Sequence, residues 1–168
     1  MSVWWLAASA NNGDCSYIGL KGRKVLAQGW PYIGDLSAIF NAKRDEKKLK
    51  KLLHALIDYC YPDKADKVDP NPEKRFMNLL NIQVGDIVVI CEGLSIKGLA
   101  KITTPLSYSY YNNNGAYEYA HQFGSVTEWK DWDVSKVGPA PRPHAQGPKG
   151  VEQCHKDATT FINAWNKL

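Results

Sequence analysis

Alternation of apolar and polar positions marks several short stretches of the chain as β-strands. The run VWWLAA at Val3–Ala8 is β-branched, aromatic and apolar, which predicts the first strand. Residues 24–27 form a shorter apolar run, and residues 84–91 lead from a Gly-Asp turn into a continuous apolar strand. Residues 95–103 alternate well enough to pair with it as a hairpin, and residues 126–132 alternate again. The pattern therefore predicts a sheet assembled from short, separated strands.

Apolar residues spaced three and four apart predict helices between these strands. The clearest helix spans residues 45–59, where leucines recur on one face and lysines lie on the other. Shorter helices are expected over residues 36–42, 73–81 and 151–165. The lysine face has two interpretations: a solvated helix surface, which is the ordinary role of such residues, or a surface that meets phosphates.

Three segments rich in glycine, proline, asparagine or tyrosine are predicted to be loops. They cover residues 29–37, 106–119 and 136–148, and the last contains four prolines. Gly98, inside the second hairpin strand, indicates a bulge or a close backbone approach. The order strand, strand, helices, hairpin, strand, helix lacks the regular strand–helix alternation of a doubly wound sheet. We therefore expect an α+β fold, a small curved mixed sheet or pseudo-barrel with helices flanking it.

Length and charge set limits on the domain count and on the partner. The 168 residues fit one domain with a sizeable core. We expect a single domain over residues 1–168, with residues 133–150 as a proline-rich wrap and residues 151–168 as a C-terminal helix. The 21 basic and 17 acidic residues give a formal charge of +4, which is compatible with a polyanionic partner without requiring one.

The cysteines and the N-terminus favour a cytoplasmic protein. Cys15, Cys60, Cys91 and Cys154 include no CxxC pair, and two of them lie inside apolar patterns that predict buried thiols. Reduced thiols are typical of the cytoplasm. The N-terminal segment has no basic region before its short apolar run, and the chain has no stretch of about 18 apolar residues. We expect neither a signal peptide nor a membrane span.

Catalytic signatures are missing from the sequence. There is no G-x-S-x-G elbow, phosphate-binding Walker pattern, dinucleotide glycine fingerprint, HExxH helix or zinc-deaminase signature. The four histidines are scattered, and His121 alone lies in a segment rich in possible ligand contacts. We therefore expect a binding protein with no catalytic residues, no metal site and no cofactor.

Aromatic side chains on the predicted loops are the more informative feature. Trp30 lies on a loop bounded by glycine and proline, and Tyr108 and Tyr110 lie on the tyrosine-rich loop. A planar base stacked on such a ring gains roughly 1–3 kcal/mol. The competing interpretations are a packing residue at a helix entry for Trp30 and an adhesive surface patch for the tyrosines. Trp5 is a further candidate, although strand alternation places one of Trp4 and Trp5 on each face, so at least one ring belongs to the core.

Base selection also needs hydrogen bonds to the base edge. The polar run after the first strand offers Ser9, Asn11 and Asn12 for this role. Asp35 can accept from an exocyclic amine, or it can serve as a plain helix N-cap. For phosphate contacts the candidates are basic residues near the first two strands and on the hairpin, each of which could equally be a solvated surface residue: Lys21, Arg23, Lys24, Lys97 and Lys101.

Taken in order, these segments resemble one family. The pattern "GWxxxGDLS … GDIVVI … G … YxY … YxH … VxW", preceded by Trp5-Leu6 and the polar run from Ser9, is similar to an EVE-type domain of the PUA-like superfamily, which is related to the YTH readers of methylated adenine. The matching segments cover most of the chain from Trp5 to Trp132. Residues 45–59 and the proline-rich segment lie outside the pattern.

The resemblance implies a pseudo-barrel sheet and an aromatic pocket that receives a flipped base. Such domains occur in modification-dependent restriction systems of the McrBC type, beside a GTPase or nuclease, where they recognise 5-methylcytosine, 5-hydroxymethylcytosine or 6-methyladenine in DNA. Carried over by position, Trp30 matches the family's loop tryptophan, Ser9 and Asn11 match its polar segment, and Tyr110 matches its later loop.

The leading hypothesis is a reader that binds DNA with a modified base. In it, Trp30 and a tyrosine sandwich the base, Asn11 or Asp35 reads the base edge, and lysines hold the DNA backbone. Three alternatives remain open. The chain could read modified RNA, act as a small enzyme on a nucleotide through His121, or bind another protein through its tyrosines.

Overall fold

A computed structural model describes residues 1–10, 13–40, 45–63, 71–111, 119–143, 148 and 150–168, apart from the side chains of residues 125–127. Within these residues the strands are β1 Val3–Ala8, β2 Leu26–Gln28, β3 Ile87–Glu92, β4 Ser95–Tyr110, β5 His121–Asp131 and β6 Val151–Gln153. The helices are α1 Tyr17–Arg23, α2 Ser37–Phe40, α3 Glu46–Cys60, α4 Glu73–Asn81, α5 Val134–Val137 and α6 Ala158–Lys167. Short 3-10 turns lie at Gly13–Cys15 and Pro31–Ile33.

The six strands form one mixed sheet in the order β2-β5-β4-β3-β1-β6. Strand β1 runs parallel to β3, and the other neighbours are antiparallel. An α+β fold with a mixed sheet and flanking helices is therefore confirmed, with helices α1, α2, α3 and α4 inserted between β1 and β3.

The sheet bends in the middle of β4. Ile102 of β4 pairs with Val126 of β5, but the next pair joins Ser107 to Gly124. Residues 103–106 of β4 therefore face residue 125 alone in β5, and this bulge turns the second half of the hairpin out of the plane of the first half. The bend carries the start of β5, the end of β4 and β2 over one face of the sheet.

A core fills the space under the bent strands. Trp4 and Leu6 of β1 share one buried cluster with Leu26 of β2 and Phe123 of β5, although β1 and β2 lie far apart in the order of the sheet. On the opposite face, Trp5 packs against α6. The alternation within VWWLAA therefore places Trp4 and Trp5 in separate cores on opposite faces of the sheet.

A third cluster sits where α3 and α4 meet the loop after β2. It contains Leu53 and Ile57 of α3 and Phe76 of α4, with Trp30 packed against them. Asp45 starts α3 by accepting hydrogen bonds from the amides of Lys47 at 2.8 Å and Lys48 at 3.3 Å. The predicted helix over residues 45–59 is confirmed, and its leucine face covers the Trp30 loop.

Several predicted elements are correct and several are wrong. Strand β1, helix α4 and the β3–β4 hairpin lie where the pattern predicts them. The second strand is shifted to Leu26–Gln28, because residues 17–23 form α1, which the pattern did not predict. Ser16 caps that helix by accepting from the Gly19 amide at 3.1 Å. The glycines of α1 interrupt the three-and-four spacing of apolar residues, so the pattern did not indicate a helix there.

Two further corrections concern the end of the chain and the tyrosines. Residues 151–165 were predicted to be one helix, but residues 151–153 form β6 on the edge of β1, and α6 begins at Ala158. Residues 106–119 were predicted to be a loop, but β4 continues to Tyr110. Polar and aromatic residues occur in an exposed strand of a bent hairpin as well as in loops, so the composition of this segment could not distinguish the two. Within the described residues, no helix is long and apolar enough to cross a membrane.

Candidate functional site

Trp30 has an unusual backbone conformation. Its φ of 68° and ψ of 48° lie in the left-handed region, which a bulky L-residue adopts at a cost of about 1–2 kcal/mol. The residue stands between β2 and the turn at Pro31–Ile33, and its carbonyl oxygen accepts a hydrogen bond from His121 Nε2 at 3.0 Å. Strain of this kind persists where surrounding contacts over-determine the conformation, and it clusters at functional sites.

His121 supplies the main contact that holds this loop. Its side chain is fully buried at the start of β5, and burial lowers its pKa to about 4, so the ring is neutral at pH 7. Because Nε2 faces the carbonyl oxygen of Trp30, Nε2 carries the proton. Nδ1 then accepts from the hydroxyl of Tyr108 at 2.8 Å. The contacts thus fix both the tautomer and the orientation of the imidazole.

Tyr108 extends this network to the next helix. Its hydroxyl oxygen accepts from the backbone amide of Leu36 at 3.1 Å while donating to His121. Burial raises the pKa of Tyr108 to about 12, which keeps the hydroxyl protonated and able to donate. A continuous chain of hydrogen bonds therefore runs from the start of α2 through Tyr108 and His121 to Trp30.

Tyr110 holds the same loop from the end of β4. Its hydroxyl donates to the carbonyl oxygen of Pro31 at 2.8 Å, and its ring lies 5.4 Å from the ring of His121. The structure therefore brings Trp30, Tyr108, Tyr110 and His121 together, as the sequence predicts.

The indole of Trp30 is half-buried, and beside it lie Tyr32, whose place on the same loop the sequence shows, and Tyr61, which sequence reasoning missed. Tyr61, just after α3, meets the Trp30 ring edge-on at 4.8 Å. The ring of Tyr32 lies 5.4 Å from Tyr61 at an interplanar angle of 35°, and Tyr32 is 71% exposed. The three rings form an aromatic surface that reaches solvent, which we call the Trp30 platform. The only sequence signal for Tyr61 is an aromatic residue directly after a helix.

Asp35 and Ser9 are two predicted base-edge contacts whose surroundings the structure describes. Asp35 is exposed and accepts from the amide and the hydroxyl of Ser37 at 2.8 and 2.6 Å, which lowers its pKa, so it is engaged in the turn that leads into α2. Ser9 follows β1, and its amide donates to Cys15 at 2.9 Å. Nearby, the hydroxyl of Tyr119 donates to the carbonyl oxygen of Ala7 at 3.1 Å, which links the end of β1 to the start of β5.

Two further predictions have different outcomes. Trp5 is buried on the opposite face of the sheet, with its ring 5.0 Å from Phe161 in an edge-on contact. Its prediction as a base contact is wrong, because α6 covers that face. Asn11 and Asn12 lie outside the described residues.

A cavity of about 680 Å³ adjoins Tyr108, and none of the three rings of the Trp30 platform lines it. It opens beside the bulge of β4, and it is mainly apolar and aromatic. Its lining residues include Phe40, Leu79, Gln83, Leu106, Tyr108 and Phe123. Its size and lining fit the usual range of small-molecule pockets. The Tyr108 ring is therefore shared between the hydrogen-bond network and a space large enough for a ligand.

Most of the predicted phosphate contacts already have protein partners. Lys21 forms an ion pair with Asp131 at 2.8 Å, and Lys97 lies 3.4 Å from Glu92. Arg23 donates to the carbonyl oxygens of Asp14 and Gly19. These side chains hold the ends of α1 and the hairpin.

The other two predicted phosphate contacts differ from each other. The Nζ atom of Lys101 stands 5.9 Å from the centre of the Trp165 ring, whereas Lys24 is exposed at the left-handed C-cap of α1. Among the described residues, Lys24 therefore differs from the other four predicted basic residues in having no side-chain hydrogen bond, ion pair or ring contact.

Metal ligands and relatives complete the description of the site. Within the part of the chain that the structure describes, no group of three or more His, Cys, Asp or Glu side chains is arranged to hold a metal ion. Comparison of the chain with protein-family models, with curated proteins and with solved structures gives no match. The arguments about function therefore depend on the molecule's own geometry.

Proposed function

We propose that this protein binds a modified nucleobase in DNA, with the base swung out of the duplex onto the aromatic rings around Trp30. The observation that carries the proposal is the strained, left-handed backbone of Trp30. A buried neutral histidine and two tyrosines hold that backbone in place. A fixed, partly exposed indole beside Tyr61 and Tyr32 offers a preorganised surface for stacking.

The fold belongs to the same proposal. We propose a PUA-like, EVE-like pseudo-barrel, supported by the bend in β4 and by the core that β1 shares with β2 and β5. The motifs behind the resemblance have concrete roles in the scaffold. Asp86 is buried and accepts hydrogen bonds from the Ser2 amide at 2.6 Å and from the indole of Trp4 at 3.0 Å, while Gly85 has a φ of 93°.

The cavity beside Tyr108 supports the proposal by offering room next to the same network. Its rim carries the amide of Gln83, a group that can pair with a base edge. Extrusion of a base costs a few kcal/mol of unstacking, which stacking and backbone contacts must offset. We also propose that the protein acts in the cytoplasm as the recognition module of a restriction system, beside a GTPase or nuclease. In this role it binds the modified base and catalyses no reaction.

The substitution Trp30→Ala tests this function. We expect the variant to lose about 1–3 kcal/mol of binding to a duplex with one modified base, about 5- to 150-fold in Kd, because the stacking surface is gone. Binding to the unmodified duplex should change little. Fluorescence anisotropy against duplexes with 5-methylcytosine, 5-hydroxymethylcytosine, 6-methyladenine or no modification measures both.

Two controls separate stacking from general damage. Trp30→Phe keeps an aromatic ring and should retain most of the preference, whereas Tyr59→Ala removes a ring that is 86% exposed on α3 and should change nothing. Equal affinity of the unaltered protein for modified and unmodified duplexes would refute the proposal. Preference for methylated single-stranded RNA over every duplex would show that the site binds RNA instead of DNA.

A further inference from the structure

Two surface cavities meet on the outer side of α4. One, of about 480 Å³, lies between α4 and β6, and the other, of about 560 Å³, lies between α4 and the first turns of α3. Both are lined by Lys74 and Asn78, so the two cavities adjoin along the helix, and we call them together the α4 groove. Lys47 and Lys50, from the lysine face of α3, line it, whereas the basic residues predicted near the first two strands and on the hairpin lie outside it.

The basic residues of the groove are spread along its length. Arg75 and His155 line the end at β6, Lys74 lies in the middle, and Lys47 and Lys50 line the end at α3. Within the described residues, Lys47 and Lys74 have no ion-pair partner, while Lys50 lies 3.7 Å from the buried carboxylate of Glu73. A spaced row of this kind suits a polymer with repeating negative charges better than a single phosphate.

Carboxylates and amides share the groove with these cations. Asp45 and Glu46 line one end and Glu152 the other. The Asp45 carboxylate is occupied as the N-cap of α3, where the helix dipole offsets its charge. Amide side chains, which hydrogen-bond to phosphate and sugar oxygens in nucleic-acid complexes, supply the remaining polar surface. They are Asn71, Asn78, Asn81 and Gln153.

The side of the α4 groove next to β6 is held in place by contacts within the protein itself. The side-chain amide of Asn78 donates to the Val151 carbonyl oxygen at 2.7 Å, which ties α4 to β6. The aliphatic stem of Arg75 lies directly against Gly150, where a Cβ atom would stand 2.6 Å from Cδ. The amide of Ala7 donates to the Gly150 carbonyl oxygen at 2.8 Å, so the glycine is fixed to β1. Arg75 is therefore positioned by the sheet.

We propose that the α4 groove binds the phosphodiester backbone of the nucleic acid whose base is read at the Trp30 platform. The inference rests on the proposed function and adds a backbone site to it. Lys and Arg neutralise phosphates and release counterions, and the amides donate to phosphate oxygens. The groove replaces the predicted contacts at Lys21, Arg23 and Lys97, which have protein partners.

The length of α3 sets the distance between the two sites. Lys47 lies in the first turn of α3 and Tyr61, which contacts Trp30, lies at its C-terminal end. A rise of 1.5 Å per residue separates them by about 20 Å. Duplex DNA advances about 3.4 Å per base pair, so the groove lies about six base pairs away from the base that is read. Only a duplex that extends beyond this length can reach it.

The double substitution Lys47→Gln with Lys74→Gln tests the groove. Both side chains are exposed, so the variant should fold normally. Anisotropy titrations with an unmodified duplex of about 20 base pairs, between about 50 and 200 mM salt, should show weaker binding. The slope of log K against log salt should become shallower by about 2, because two phosphate contacts are lost. Affinity for a modified duplex of about six base pairs should not change.

The matched control is Lys136→Gln with Lys167→Gln, which removes the same net charge from α5 and α6. That variant should keep the slope of the unaltered protein. Equal slopes for the two double variants would overturn the groove, as would competition by polyglutamate as strong as competition by DNA. Loss of slope in the groove variant, in a protein with no preference for modified bases, would support the groove and refute the reader function. The two proposals can therefore fail separately.

Discussion

At the scale of single residues, the site depends on one histidine that has no charge. His121 is buried, donates to the Trp30 carbonyl oxygen and accepts from the Tyr108 hydroxyl. Burial away from water opposes protonation of the ring and lowers its pKa, although the hydrogen bond to the Trp30 carbonyl oxygen by itself favours the charged form. The neutral ring is therefore the form that the folded protein holds at pH 7.

The pKa of His121 predicts a loss of stability in acid. Its folded value of about 4 lies below the ordinary value of 6.5, so between these values the unfolded chain binds more protons than the folded one. The free energy of unfolding should fall as pH drops from about 6.5 to about 4, with His121 contributing roughly 3 kcal/mol. Urea denaturation at a series of pH values measures this.

His121→Gln is the control for this titration, because other groups also titrate in the same range. The pH slope of the variant should be flatter than that of the unaltered protein by the His121 contribution. An NMR titration that gives His121 a pKa near 6.5 would contradict the prediction.

At the scale of elements, α1 packs closely against the bent hairpin because the hairpin has a glycine, with no side chain, at the point of contact. Gly98 of β4 touches the Tyr17 hydroxyl of α1 and the backbone of Lys130 in β5, and the β3–β4 register shifts beside it. Both the close approach and the irregular pairing predicted for this glycine are confirmed. Tyr17 also donates to Asp131 at 2.7 Å, so α1 is attached to the sheet at this point.

Gly98→Ala should destabilise the protein by about 1–3 kcal/mol, because the new Cβ atom overlaps the Tyr17 side chain and a backbone carbonyl. Gly124→Ala is the matched control in the neighbouring strand. A Cβ atom there has its nearest neighbour, the Ser107 carbonyl oxygen, at 3.9 Å, so its change should stay within about 0.5 kcal/mol. Midpoints of urea denaturation compare the two, and equal shifts would contradict the packing argument.

At the scale of the whole molecule, the sheet curves until strands distant in its order share one core. The hydroxyl of Tyr119, just before β5, donates to the carbonyl oxygen of Ala7 in β1. This bond joins the end of β1 to the start of β5, two strands that are not neighbours in the sheet. Closure of the sheet therefore includes a direct contact between these strands.

Tyr119→Phe should lower the free energy of unfolding by about 1 kcal/mol, because the carbonyl of Ala7 loses its partner across the sheet. Tyr59→Phe, at a ring that is 86% exposed on α3, should have no effect. Thermal unfolding of both variants at one pH provides the comparison. If the two variants unfold at the same temperature as the unaltered protein, the bond does not contribute to closure.

The candidate site shows how far pattern reasoning reaches. Trp30, Tyr108, Tyr110 and His121 were selected as aromatic or titratable residues in unusual local sequence, and the structure joins them by hydrogen bonds. Tyr61 was missed and Trp5 was assigned wrongly, because the partners of a ring depend on which element covers it. The lysines show the same limit, since an ion pair with a distant carboxylate leaves no local signal.

The sequence by itself determined the elements whose signals are local. The alternation of β1, the leucine spacing of α3 and the turn residues before β3 depend on neighbours within a few positions, and these elements formed as predicted. The tertiary structure alone decided the bend in β4, the continuation of that strand through Tyr110 and the groove across α4. Each of these arises from contacts between residues far apart in the chain, and such contacts exist only after the sheet has folded over its core.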